Sequence, residues 1–256
     1  MNALFQETRL FAFDLDGTLY CGAQVVAGAL ETVALLQEQF RVVYFTNNST
    51  RSRKAIHAKL QQMGFVCSQS EVYTSAYFTA RYLQRTGMER VYVIGSRELT
   101  EEIEEQGVEC TVESRADALV VGLDVTFNYQ KIADGLTVLR RGGRFVACNE
   151  DCSYPVEDGR IMPGCGAMVG SLRGASGREP DVVIGKPNTY MLREMVCDQD
   201  LAIHQVAVVG DSLESDVRMA LNVACPAVWL HAEASKEMFG VVRVADHGEL
   251  ARLFRG

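Results

Sequence analysis

The chain has 256 residues, of which 48% are hydrophobic and 23% are charged, and its formal net charge is −8. This composition is typical of an ordinary globular protein and does not favour a disordered chain, and the length predicts either one large domain or a core that carries a second lobe. The acidic balance and the lack of a long basic run exclude general binding to nucleic-acid polymers. No apolar stretch reaches the roughly 20 residues that span a bilayer. We therefore expect a cytoplasmic globular protein with no membrane partner.

The cysteines and histidines show no pattern typical of a metal site. The eight cysteines contain no C-x-x-C pair, and the four histidines form no H-E-x-x-H or similar arrangement. We therefore interpret the cysteines as small buried hydrophobes without a disulfide framework, and the histidines as solvated or core residues.

Short apolar runs rich in β-branched and aromatic residues alternate with helix-like segments along the chain, which is typical of parallel βα units and predicts an α/β fold. The predicted strands are Leu10–Phe13, Val42–Phe45, Val91–Ile94, Ala118–Val121, Phe145–Ala147, Val182–Ile184, Val206–Val209 and Ala227–Leu230. Among the helices, Ser96 is the expected N-cap of a segment over Glu98–Gln106, and Tyr129–Leu139 forms another. The first of these helices carries an acidic run that predicts a solvated face, at Glu101, Glu102, Glu104 and Glu105.

A long insertion separates two parts of the predicted core. About 137 residues lie between Asn48 and Lys186, which is too many for one βα crossover, and they contain their own alternation of strands and helices. We therefore predict a discontinuous core over residues 1–79 and 181–256, with an inserted α/β lobe over residues 80–180.

Four predicted strands end in polar residues of compatible chemistry. Asp14, Thr46, Lys186 and Asp211 each lie within two residues of the carboxyl end of a strand. Ligands bind at that edge of an open parallel sheet, because loops and helix N-termini converge there. The pattern therefore predicts a site for a small anionic ligand.

The first of these strands leads into Asp14-Leu15-Asp16-Gly17-Thr18, where the i, i+2 spacing can direct both carboxylates to one side. In this interpretation Asp14 attacks phosphorus as a carboxylate, and Asp16 acts as general acid and base. A magnesium ion keeps Asp14 ionised and orients the phosphate, Asp211 adds a hard oxygen ligand, and Asp216 supports the metal shell. Gly17 allows a tight turn close to the phosphate.

The phosphate oxygens have their own candidate partners. Thr46 and Asn47 offer a hydroxyl and an amide, and Lys186 offers a positive charge that offsets charge on a phosphoryl group in transfer. Pro187 suits the first turn of a helix predicted over Asn188–Val196, which would fix where Lys186 emerges.

These residues, in this order, resemble the four motifs of the haloacid dehalogenase superfamily of aspartate-nucleophile phosphatases. The motifs stand as FDLDGTLY at 13–20, FTNNS at 45–49, GKPN at 185–188 and GDSLESD at 210–216. The chain is most similar to the NagD-like, or p-nitrophenylphosphatase-like, subfamily, whose α/β cap lies between the second and third motifs. Segments of the insertion also resemble that subfamily: YTSA at 73–76, VVGLD at 120–124, CNED at 148–151 and PGCGAMV at 163–169.

The resemblance implies a Rossmann-like core and assigns a role to each motif residue. By this analogy Asp14 is the nucleophile, Asp16 is the acid/base, and Thr46, Asn47 and Lys186 hold the phosphate. Asp14, Asp211 and the backbone carbonyl of Asp16 would ligate Mg²⁺.

The expected function is therefore Mg²⁺-dependent hydrolysis of small phosphate monoesters, of the nucleoside monophosphate or sugar phosphate type, through an aspartyl-phosphate intermediate. Two alternatives stay open: a phosphoryl transferase or mutase that uses the same intermediate, and a non-catalytic protein that binds phosphorylated metabolites. The expected partner is a small phosphorylated metabolite, and assembly into a homo-oligomer is also left open.

Overall fold

The computed structural model describes residues 3–112, 115–155, 160–232 and 238–255. The chain forms two compact units. The first contains the chain up to Thr46, Ile56–Tyr73 and the chain from Lys186 onward, and the second contains Asn47–Ala55 and Thr74–Gly185. Within the described ranges, no helix has the length and apolar character needed to cross a membrane.

Strands and helices alternate through most of the chain. The strands are β1 Leu10–Phe13, β2 Tyr20–Cys21, β3 Gln24–Val25, β4 Arg41–Thr46, β5 Val72–Thr74, β6 Arg90–Ile94, β7 Glu109–Cys110, β8 Ala118–Val121, β9 Arg144–Ala147, β10 Ser153–Pro155, β11 Ile161–Pro163, β12 Val182–Val183, β13 Val206–Gly210, β14 Ala227–Leu230 and β15 Val241–Val244. The α-helices are α1 Ala29–Gln37, α2 Arg53–Gln62, α3 Ser75–Arg85, α4 Arg97–Glu105, α5 Tyr129–Arg140, α6 Cys165–Ser176, α7 Tyr190–Asp198, α8 Arg218–Leu221 and α9 His247–Arg252. A π-helical turn, Leu213–Val217, precedes α8.

The first unit is built on a six-stranded sheet in the order β15-β14-β13-β1-β4-β5. Strand β1 is completely buried and pairs in parallel with β13 on one side and with β4 on the other. Phe13 is in register with Val209 and with Tyr44, so the residues that follow these strands emerge at one edge of the sheet. This register places the polar residues that follow β1 and β13 side by side at that edge. These residues form the first unit's polar site.

The second unit has its own parallel sheet, in the order β12-β9-β8-β6-β7. Strand β8 is fully buried, and α5 and α6 pack on this sheet through Val138 and Leu172. Two parallel sheets, each with helices, agree with the predicted α/β class.

Two details at the unit boundaries differ from the sequence-based division. Strand β12 pairs with β9 in the second unit's sheet, although the division at residue 181 assigned it to the core. Helix α3 lies in the second unit from its start, although a boundary at residue 80 would cut through it. The identification of the second unit as a cap stays a prediction.

Three local expectations can be compared directly with the helices. Ser96 caps α4 as expected, since its side chain accepts a hydrogen bond from the Leu99 backbone N–H at 3.1 Å. The expectation that Glu102 is solvated is wrong, because its side chain is buried and accepts from the backbone N–H of Arg53 at 3.1 Å. Helix α7 begins at Tyr190, so Pro187 lies before the helix and not in its first turn.

Candidate active site

The centre of the first unit's polar site is the contact between Asp14 and Lys186. Asp14 follows β1 directly, and its backbone N–H donates to the Val209 carbonyl at 2.8 Å, which continues the pairing with β13. The Lys186 ammonium donates to the Asp14 carboxylate and, at 2.6 Å, to Oδ1 of Asp216. All three side chains are nearly inaccessible to solvent. One buried cation therefore holds two buried carboxylates.

The loop after β1 is shaped to receive Asp211. Gly17 has φ of +93°, and a Cβ at this residue would lie 2.8 Å from Cγ of Asp211. The Thr18 hydroxyl donates to Oδ1 of Asp211 at 3.0 Å and accepts from the Asp211 backbone N–H at 3.0 Å. Both the left-handed backbone and the lack of a side chain at Gly17 are thus required for the approach of this carboxylate.

The fourth motif positions Asp216 in a similar way. A Cβ on Gly210 would lie 2.5 Å from Cβ of Asp216, so only glycine fits at the end of β13. The Ser212 backbone N–H donates to Oδ2 of Asp216 at 3.2 Å, while the Ser212 side chain caps the π-helical turn. Trp229, on the neighbouring strand β14, donates its indole N–H to the Asp211 carbonyl at 2.9 Å.

These contacts gather three carboxylates with one lysine. Asp14, Asp211 and Asp216 each offer an oxygen, and these oxygens lie within 4.8 Å of one another. Burial raises the pKa of Asp14 and of Asp211, and Asp216 raises both further, whereas Lys186 lowers them. Burial alone would lower the pKa of Lys186, but Asp14 and Asp216 raise it above its usual value. The cluster is therefore deficient in positive charge.

A divalent cation of the hard class fits this set of ligands. Mg²⁺ prefers a small number of carboxylate oxygens, completed by water and by substrate phosphate. The cradle formed at Gly17 holds Asp211 within reach of such an ion, and the net negative charge of the cluster would be offset by it.

Asp16 differs from the other acidic residues of the site, since its side chain is exposed. The surrounding protein nevertheless removes part of its hydration and raises its pKa, whereas Lys59 and Lys186 lower it. Its Oδ2 lies 3.5 Å from the hydroxyl of Tyr20, at the limit of a hydrogen bond. The structure thus leaves this carboxyl accessible, with a pKa above its usual value.

The two predicted phosphate-binding residues at the carboxyl end of β4, Thr46 and Asn47, lie in different units. Thr46 ends β4 and is buried in the first unit. Asn47 belongs to the second unit, where its side chain donates to both carboxylate oxygens of Asp151 at 3.1 Å. Its backbone carbonyl accepts from Asn149 and from Ser75, each at 2.7 Å. The first unit therefore brings together Asp14, Lys186, Asp211 and Asp216, and the second unit fixes Asn47 separately.

Sequence reasoning missed two residues that support the site. The Thr18 hydroxyl binds Asp211, and its position inside the first motif could have suggested this role. The other residue is His247, a buried core histidine whose Nε2 lies 2.8 Å from the Thr18 carbonyl oxygen. No local pattern marks His247, because its partner is far away in the sequence.

A cavity of about 360 Å³ lies elsewhere on the first unit. Phe40, Arg41 and Gln199 are among the residues that line it, and it lies at the amino end of β4. The carboxylate cluster lies at the carboxyl end of the neighbouring strand β1, so this cavity does not belong to the site.

Comparison with known families agrees with the four motifs. A model of the haloacid dehalogenase-like hydrolases matches residues 11–109, and a HAD-hydrolase-like model matches residues 183–237. An acid sugar phosphatase from Staphylococcus saprophyticus is 34% identical over 217 residues, which cover 84% of this chain and 83% of that protein. The D-glycerol 3-phosphate phosphatase of Mycobacterium tuberculosis is 34% identical over 232 residues, which cover 89% of this chain but only 64% of the relative's length.

Solved structures show the same relationship. The p-nitrophenyl phosphatase from Archaeoglobus fulgidus superposes with a TM-score of 0.90 at 28% identity, over 96% of this chain and 99% of that one. The glycerol phosphate phosphatase of M. tuberculosis, in complex with magnesium, gives a TM-score of 0.86 at 30% identity, over 98% and 79% of the two chains. The chain therefore belongs to the haloacid dehalogenase-like hydrolases, in the group that contains the NagD-like and p-nitrophenylphosphatase-like proteins.

Proposed function

We propose that this protein is a magnesium-dependent phosphatase that hydrolyses small phosphate monoesters through a covalent phosphate ester of Asp14. The observation that carries the proposal is the buried Asp14 at the end of the central strand, in contact with Lys186 and close to two further carboxylates. The relatives of similar length are named phosphatases, which supports the same reaction class.

In the first step, a carboxylate oxygen of Asp14 attacks phosphorus, and the bond from phosphorus to the ester oxygen breaks. The leaving alkoxide takes a proton from Asp16 and departs as an alcohol. The exposed position and raised pKa of Asp16 support this role, because the residue must reach the substrate and begin in its neutral form. Lys186 offsets negative charge on the phosphoryl oxygens as the bond breaks.

In the second step, Asp16 is a carboxylate and accepts a proton from water, whose oxygen attacks the phosphorus of the intermediate. The bond from phosphorus to Asp14 breaks, inorganic phosphate leaves, and both side chains return to their first state. In this proposal Thr46 and Asn47 donate to phosphate oxygens through their hydroxyl and amide groups.

Asp14, Asp211 and the backbone carbonyl of Asp16 would hold Mg²⁺, and Asp216 would support them. When bound, the ion supplies positive charge that orients the phosphate and stabilises negative charge in the transition state. Lys186 alone cannot provide this, because it already faces both Asp14 and Asp216.

We assign substrate selection to the second unit as an inserted cap, whose sequence-based limits were residues 80–180. The sugar phosphate class, which includes polyol phosphates, is favoured by the names of the acid sugar phosphatase and the glycerol phosphate phosphatase among the relatives. Nucleoside monophosphates remain the second class proposed from the sequence.

The test is release of inorganic phosphate from a panel of sugar phosphates, glycerol phosphates, nucleoside monophosphates and p-nitrophenyl phosphate. Each substrate is measured with Mg²⁺ and with a chelator, in the presence and absence of alcohol acceptors. We expect release that requires Mg²⁺ and a preference for one substrate class. Transfer of phosphate to an alcohol with little inorganic phosphate would favour the transferase instead, and binding without turnover would overturn the proposal.

A further inference from the structure

We propose that His247 is a positioning residue of the metal site, which holds the Thr18 peptide and, through the Thr18 hydroxyl, keeps Asp211 in the carboxylate cluster. This inference deepens the proposed function and rests on it, since it gives His247 a part in binding the cation at that site. His247 itself touches neither the carboxylates nor a substrate in this scheme.

The imidazole of His247 is hydrogen-bonded to the loop after β1. His247 begins α9, is 1% exposed, and lies 229 residues from Thr18 in sequence. Its Nε2 is 2.8 Å from the Thr18 carbonyl oxygen. Because a carbonyl oxygen can only accept, Nε2 must carry the hydrogen. Nδ1 is buried without a hydrogen-bond partner among the described residues, and burial lowers the pKa of the ring, which agrees with the neutral Nε2–H tautomer.

The imidazole is itself held in place by the surrounding core. Its ring stacks against Phe13 with a centroid distance of 6.5 Å and an interplanar angle of 18°. The His247 backbone carbonyl accepts from the buried hydroxyl of Thr32 at 2.9 Å. Helix α1, which carries Thr32, therefore fixes the histidine that fixes the loop.

The loop in turn holds Asp211. With its carbonyl bound by His247, Thr18 presents a hydroxyl that both donates to the Asp211 carboxylate and accepts from the Asp211 backbone, each at 3.0 Å. A shift of the Thr18 backbone would move the hydroxyl that makes both of these bonds. Gly17 leaves little space around the same carboxylate, so a small displacement of the loop changes the position of an oxygen that would bind the cation.

A histidine that merely fills the core would give a different experimental result. Its replacement would lower thermal stability without changing the affinity of the folded protein for Mg²⁺. A positioning role predicts that the affinity falls toward the lower end of the about 10- to 100-fold loss that is typical when a direct partner of a metal ligand is removed, because His247 acts on Asp211 through Thr18.

The variants separate the hydrogen bond from the packing. His247→Phe keeps an aromatic ring against Phe13 but has no donor for the Thr18 carbonyl. His247→Gln keeps an amide N–H at a similar distance along the side chain, so it should restore most of the affinity. His247→Asn is the shorter control, because its amide corresponds to Nδ1 and does not reach the carbonyl. It also tests the proposal if the phenylalanine variant does not fold.

Binding of Mg²⁺ can be measured without turnover. Trp229 is the single tryptophan of the chain, and its indole donates to the Asp211 carbonyl at 2.9 Å, so its fluorescence should report metal binding. Isothermal titration calorimetry with MgCl₂ gives the same affinity independently. Asp211→Asn serves as the control that removes the negative charge of a direct ligand.

We expect weaker Mg²⁺ binding for the phenylalanine and asparagine variants, near-normal binding for the glutamine variant, and a higher Mg²⁺ requirement for phosphate release that excess metal largely overcomes. Unchanged Mg²⁺ affinity in folded His247→Phe would overturn the inference. Failure of the proposed function looks different: the unmodified protein would bind Mg²⁺, with the same ranking of variants, but release no phosphate from any ester.

Discussion

Each unit of the molecule contains a buried aspartate in contact with a lysine, and the two contacts behave in opposite ways. In the first unit, the pKa of Asp14 is raised by burial although Lys186 lowers it. In the second unit, burial alone would raise the pKa of Asp124, but hydrogen bonds from Lys131 and Thr126 lower it below its usual value. The lysine contact, together with Thr126, therefore outweighs the effect of burial on the aspartate pKa in the second unit, but in the first unit the lysine contact does not.

The difference lies in the number of charges around each aspartate. Among the described residues, Asp124 is the one carboxylate paired with Lys131, which also donates to the Thr126 hydroxyl. Asp124 accepts from Thr126 as well, at 2.7 Å from the hydroxyl and 2.8 Å from the backbone N–H. Lys186 must serve Asp14 and Asp216 together, with Asp211 nearby. A balanced pair supports the fold, whereas a buried excess of negative charge provides a place for a cation and a reactive carboxylate.

The largest effect is expected when Asp14 is replaced. Asp14→Asn removes the nucleophile, so turnover should fall by about 10⁴-fold or more in the phosphate-release assay. Stability should not fall in metal-free buffer, because Lys186 then faces the single carboxylate of Asp216 as a balanced pair. The check is a thermal unfolding curve recorded beside the kinetic assay.

This experiment distinguishes a nucleophilic Asp14 from a purely structural one. A structural aspartate would give the reverse result, with a lower unfolding temperature and normal turnover of the folded fraction. Retained turnover in a folded Asp14→Asn protein would exclude the covalent mechanism.

A smaller effect is expected at the turn that receives Asp211. Gly17→Ala introduces a Cβ that collides with this carboxylate, at a residue with φ of +93°. The affinity for Mg²⁺ should fall by about 10- to 100-fold. Gly142→Ala is the matched control, since Gly142 has φ of +92° and a Cβ added there would meet no atom of the described residues within 4 Å.

Because the φ angles match, both substitutions should carry a similar penalty for a left-handed backbone, about 1–2 kcal/mol. Only Gly17→Ala should change Mg²⁺ affinity, measured by Trp229 fluorescence, whereas Gly142→Ala should lower the unfolding temperature alone. Equal metal affinity in the two variants would show that the space at Gly17 is not needed by the site.

Sequence patterns predicted the buried strands well because periodicity and β-branched residues are local signals. The bounds of β1, β8 and β14 agree with the prediction, and every predicted strand is present. The missed strands are β2, β3, β5, β7, β10, β11 and β15. The first six have only two or three residues each, and β15 is only partly buried. The pairing of β12 with β9 was also missed, because the choice between two parallel sheets depends on contacts that a local pattern does not contain.

The sequence could predict which residues lie close together in the first unit's site only where those residues follow neighbouring strands. Asp14 and Asp211 adjoin neighbouring strands, so the sheet itself brings them together. Lys186 reaches them by a different route, since β12 belongs to the other sheet. The contact of His247 with Thr18 depends on the packing of a terminal helix against the first loop, so no spacing in the sequence could predict it.

The smallest effect is expected at the balanced pair. Asp124→Asn leaves Lys131 without its carboxylate and should lower the free energy of unfolding by about 1–3 kcal/mol, since the aspartate is buried and accepts several hydrogen bonds. Because its pKa is lowered in the folded protein, this contribution is complete above about pH 4 and is lost as the pH falls further. Chemical denaturation at pH 7 measures the change, and turnover of the folded protein should stay within about threefold.

Glu101→Gln is the control in the same unit: its ion pair with Arg97 is exposed, so the change in the free energy of unfolding should stay below about 0.5 kcal/mol. A loss of turnover as large as that of Asp14→Asn would show that the two aspartates do not differ in the way that their charge environments imply.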